Sequence, residues 1–160
     1  MKKPLSITSP THAWSLVTYF MLGFAGLAGV LNLNKQSAVT AAMGEGVADI
    51  WSTALMLSAF GAFSAAIAAS KSPTPEVNLR TEALLCVALF FNLGYFLFIV
   101  LAISGLRGFT TSIFALLFIV GSAGRAIQIW FELKLISKAR AHPSEADPVM
   151  GDPRDELERG

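Results

Sequence analysis

Residues 83–104 read ALLCVALFFNLGYFLFIVLAIS, 22 positions without one charged side chain. As an α-helix such a run is about 33 Å long, enough to cross a hydrocarbon core of about 30 Å. The apolar residues are continuous, not alternating, so the stretch does not read as a barrel strand. It has no polar face either, which an amphipathic helix of a soluble bundle would need. In lipid every backbone N–H and C=O must be satisfied internally, and for a single segment only the helix does this.

Three further blocks lie around it. Ala13–Leu33 reads AWSLVTYFMLGFAGLAGVLNL, Ile50–Ser70 reads IWSTALMLSAFGAFSAAIAAS, and Phe109–Phe131 carries Arg125 as its only charge. Charged residues make up 14% of the 160, against about 25% in an ordinary soluble domain. The chain therefore reads as an all-α, polytopic membrane protein. Its four-helix transmembrane domain covers residues 1–140, with spans at 13–33, 50–70, 83–104 and 109–131. A tail over 141–160, with Pro143, Pro148 and Pro153 among six acidic residues, is expected to be disordered.

Basic residues set the orientation. Lys2, Lys3, Lys71, Arg80, Lys134, Lys138 and Arg140 fall at the N-terminus, in the second loop and after the fourth span, whereas only Lys35 and Arg107 fall in the first and third loops. Positive residues near spans favour the cytoplasm, so both ends are expected inside. The first block is longer than the 7–15 residues of a signal-peptide core and reads as a retained anchor. Trp14 and Trp130 are expected at the inner boundary and Trp51 at the outer one. Past Phe131, ELKLISKAR continues the fourth helix into the cytoplasm. Gly105–Gly108 makes spans three and four a tight hairpin.

Few polar residues lie inside the spans. Arg125 admits two readings: a topology anchor that snorkels to the inner interface, or one member of a stripe with Gln128 and Glu132 that faces protein. Counted outward from the turn at Arg107, Glu82 is level with Glu132, and a direct Glu82–Arg125 bridge is not favoured. By the same count Asn92 is level with Ser122, and a hydrogen bond between them is expected. Asp49, just before span two, is placed to complement its helix dipole.

Small residues recur at fourfold spacing in span two, at Ala54, Ser58, Ala62 and Ala66, with a second row at Gly61, Ala65 and Ala69. Such a face serves either packing within the chain or self-association. Gly23, Gly26 and Gly29 in span one form a weaker signal.

The residue set excludes several chemistries. His12 and His142 lie outside the spans, so there are no paired haem ligands, and with Cys86 alone there is no credible zinc cluster. No serine has a histidine base within the membrane. The carboxylates Asp49, Glu82 and Glu132 lie near span ends, not at the depth a proton-coupled exporter uses. No enzyme activity, metal or cofactor is expected. A net charge of +1 suggests no nucleic-acid partner.

The glycine- and alanine-rich second span beginning near Trp51 is followed by an inner loop ending Arg80-Thr81-Glu82. Tyr95 lies in the third span, Arg125-Ala-Ile-Gln-Ile-Trp130 in the fourth, and a charged tail closes the chain. In this pattern, over residues 47–140, the chain resembles small four-span membrane proteins of actinobacterial bacteriophages, some of them proposed holins encoded beside endolysins. The resemblance implies a homo-oligomer in the cytoplasmic membrane of a bacterial host that permeabilises the bilayer for lysis. The alternative is a non-lytic membrane module, either a superinfection-exclusion or immunity protein or an accessory subunit of a membrane complex.

Overall fold

The computed structural model describes residues 10–31, 33, 38–104 and 109–141. They form five helices: α1 (Pro10–Val30), α2 (Ala38–Met43), α3 (Glu45–Lys71), α4 (Glu76–Ser104) and α5 (Phe109–Ala141). Four of them, all but α2, are long and apolar enough to cross a membrane. The protein is an all-helical, four-span membrane protein, and an even number of spans places the ends of α1 and α5 that lead to the chain termini on one side.

Local chemistry explains the boundaries. Pro10 opens α1, where its missing N–H costs nothing and its fixed φ suits the first turn. Gly44, at φ 78°, supplies the left-handed turn between α2 and α3 that a β-carbon would oppose. Ser72 closes α3 with its N–H on the Ala68 carbonyl at 3.0 Å and accepts the Thr74 N–H on its hydroxyl at 3.2 Å. Pro73 and Pro75 then separate α3 from α4.

Several sequence expectations shift here. The first helix ends at Val30, short of Leu33. The first loop, between the spans expected at 13–33 and 50–70, holds the six-residue α2, which packs on α3 and α4. Met43 of α2 lies against the Phe96, Val100 and Ala115 cluster. Because α3 starts at Glu45, that residue occupies the first turn, and Asp49 sits a turn further in, too deep to act as the cap. The predicted continuation of the fourth helix is present, with α5 reaching Ala141. The tail from 142 onward, like Lys2, Lys3, Lys35 and Arg107, lies outside the described residues.

Neighbours pack in the order α1–α3–α4–α5, whereas α1 and α5 touch only slightly. The helices thus form an arch with one open edge. Its core is built from Tyr19, Leu22, Leu55, Ala59, Ala62, Ala66, Cys86, Leu89, Leu93 and Ile119. The helices approach closely along the α1–α3 seam. A β-carbon on Gly26 would lie 2.6 Å from the Met56 backbone nitrogen and 2.8 Å from the Ser52 carbonyl oxygen, and one on Gly29 would collide with the Ser52 side chain. The threefold glycine row, the weaker signal in sequence, is where two backbones meet. Large apolar side chains such as Ile50, Leu84, Phe91 and Phe98 point outward, as lipid contact permits.

Candidate functional site

The polar centre lies toward the end of the bundle that bears the chain termini. Glu82 stands six residues into α4, about 9 Å along its axis, and is fully buried. Arg125, on α5, is 5% exposed. Its Nε donates to Glu82 Oε1 at 2.8 Å and its Nη2 to Oε2 at 3.2 Å, a two-pronged ion pair. Nη1 donates to Glu132 Oε1 at 3.3 Å. Both readings of Arg125 are therefore incomplete: the side chain does run toward the nearer membrane face, but it stops in protein, between two carboxylates.

The bridge that the register count disfavoured does form. Arg125 extends down α5 to Glu132 and reaches Glu82 as well, the residue that the count placed level with it. The cost of that extension is small beside leaving a buried charge unpaired, which runs to about 3–5 kcal/mol.

A third helix joins through Tyr19. Its hydroxyl donates to Glu82 Oε1 at 3.1 Å and lies 2.9 Å from Cys86 Sγ. With the phenol proton on Glu82, the thiol acts as donor to the phenol oxygen. Cys86 thus feeds Tyr19, Tyr19 feeds Glu82, and Glu82 holds Arg125. Neither Tyr19 nor Cys86 was singled out in sequence as a partner of the ion pair. One signal was available: Glu82 and Cys86 are four apart on α4 and so share a face.

The other polar residues pair differently from expectation. Asn92 does not bond Ser122. Its amide nitrogen reaches the Trp51 carbonyl at 3.4 Å, and the Trp51 indole N–H donates to the Asn92 carbonyl at 3.1 Å. Ser122 bonds back to the Ile119 carbonyl at 2.9 Å. Trp51 is half-buried and stacks on Phe96 at 5.1 Å between centroids, so its ring packs against α4. Trp14 and Trp130 are exposed. Gln128 is half-buried on the stripe.

The span-two ladder turns inward. Ala62 and Ala66 are fully buried, and Ala54 and Ser58 half-buried. Gly61 abuts Leu85 of α4, and Ala65 and Ala69 are also buried. Across the arch, the gap between α1 and α5 forms a lateral groove of about 330 Å³, whose walls include Trp14, Tyr19, Leu22, Phe118, Gly121 and Arg125. Among the described residues no group of three His, Cys, Asp or Glu side chains is placed to hold a metal ion. The chain matches no family model, no curated protein and no solved structure.

Proposed function

We propose that this chain is a holin-like protein that self-associates in the cytoplasmic membrane of a bacterial host and permeabilises it for lysis. The observation that carries the reading is the open edge between α1 and α5. The ladder Ala54, Ser58, Ala62 and Ala66 is largely used inside the chain, so the face available to a second copy lies elsewhere. On α5, Gly121 lines this edge and Gly124 follows three residues on; both are exposed, with nothing within 4 Å of where a β-carbon would stand. Glycines on a lipid-facing helix let another backbone approach closely. An arch whose terminal helices do not seal against each other can add copies at that edge. The resemblance over residues 47–140 points the same way.

Induced expression in a bacterial host tests it. Membrane potential should hold, then collapse after a delay and release a co-expressed cytoplasmic endolysin. Gly121→Leu with Gly124→Leu should delay or abolish release while the protein remains inserted. Normal growth, potential and endolysin retention at high membrane levels of the wild-type chain would refute the lytic reading, leaving the non-lytic module.

A further inference from the structure

The described residues divide their charge between the two ends of the bundle. At the end bearing the termini the described side chains include five cations, Lys71, Arg80, Arg125, Lys134 and Lys138, against three carboxylates, Glu76, Glu82 and Glu132. Burial sharpens the asymmetry. Glu82 is fully buried and, with Glu132, is paired to Arg125, and Glu76 is half-buried. Lys71, Arg80, Lys134 and Lys138 are all exposed. Two of the three carboxylates are thus tied to Arg125, whereas the other four cations face outward. At the opposite end the described charges are Glu45 and Asp49, both exposed.

These cations sit at one level. Lys71 ends α3, Arg80 lies in the second turn of α4, and Lys134 and Lys138 lie in the last two turns of α5, a band about two turns deep. Two exposed tryptophans, Trp14 and Trp130, occupy the same end. The Lys134 ammonium stands 5.3 Å over the Trp130 ring, which holds the charge at the depth an indole prefers, beside the headgroups.

We propose that this rim binds the anionic headgroups of the adjoining leaflet, with Lys134 and Lys138 of α5 as its principal contacts. A bilayer-spanning protein presents this band to headgroups and not to open water, and charge complementarity selects the anionic ones. Each Lys or Arg near such a surface strengthens attraction about fivefold, over a range of about a Debye length. The inference does not rest on the lytic reading.

The test uses the full chain purified into phosphatidylcholine vesicles containing phosphatidylglycerol. Tryptophan fluorescence is quenched either by brominated phosphatidylglycerol or by brominated phosphatidylcholine at equal mole fraction. At low salt the wild type should show severalfold preferential quenching by the anionic lipid, and high salt should erase the preference. Lys134→Gln with Lys138→Gln should reduce it severalfold. Lys71 and Arg80 remain in that variant to preserve topology, and an unchanged thermal unfolding midpoint in phosphatidylcholine alone confirms that it is folded. Equal quenching by the two lipids in the wild type would overturn the proposal, whether a second copy or the acidic tail covers the rim instead. A preference that survives intact in the double variant, or is indifferent to salt, would overturn it as well.

Discussion

Arg125 Nε and Glu82 Oε1 stand 2.8 Å apart at a point where α1, α4 and α5 meet, with both side chains buried. The pair joins the last two spans, and the Tyr19 hydroxyl extends it to the first. Its energetics follow from burial. An ion pair in a low-dielectric interior offsets its own desolvation at best, but either partner alone is an uncompensated charge.

Arg125→Leu and Glu82→Leu should each lower stability by about 3–5 kcal/mol, while the double variant should recover most of that loss. Thermal unfolding of the three proteins in detergent gives the answer. If Arg125→Leu melts with the wild type, the clasp contributes nothing and Arg125 only anchors topology.

Tyr19→Phe keeps the ring in the core and removes one hydroxyl. The lost bond ends on a charged acceptor, so destabilisation of about 1.5–3 kcal/mol is expected. Cys86→Ala should cost less of the polar network, because the thiol is a weak donor. A double-mutant cycle by chemical denaturation separates the two. A larger coupling of Cys86 than of Glu82 to Tyr19 would contradict the ordering of the hydrogen bonds.

The glycines should divide by position. Gly26→Ala places a β-carbon against the α3 backbone, and overpacking of this kind costs about 1–3 kcal/mol. Gly121→Ala meets nothing and should be neutral or stabilising by up to about 1 kcal/mol, the helix propensity difference. Unfolding midpoints of the two variants should therefore move in opposite directions or at least differ clearly. Equal effects would mean that the α1–α3 seam is looser than its geometry.

Ser58→Leu with Ala62→Leu follows from the burial of Ala62. The variant should be misfolded or degraded, not inserted and inactive. Membrane-fraction immunoblots after a chase decide this. Full accumulation of the variant would return the ladder to the candidate association surfaces.

Reporter fusions at Gly160 should be active for a cytoplasmic reporter and silent for an external one, given the seven basic residues expected inside and two outside. An externally active fusion would invert the bundle and with it the side on which the cationic rim meets lipid.

Composition alone determined the four spans, because lipid tolerates no unpaired backbone and few charges, so length and continuity of apolar runs suffice to mark a crossing helix. The continuation of α5 was legible for the same reason, since nothing in ELKLISKAR breaks a helix. The partners of the polar residues were decided by tertiary structure. A count from the Arg107 turn locates α-carbons along the axes, and it placed Glu82 level with Glu132. It does not say that an arginine side chain will run along its own helix to both, nor that Tyr19, two helices away along the arch, will turn its hydroxyl onto the same oxygen. Trp51 and Asn92 show the other limit: sequence gives depth but not the direction around a helix. A tryptophan at interfacial depth stacked on Phe96, and Asn92 turned toward α3 instead of Ser122. Likewise Gly26 and Gly121 are alike in sequence, and only the packing of α1 on α3, and the gap beside α5, makes one a contact between backbones and the other an open surface.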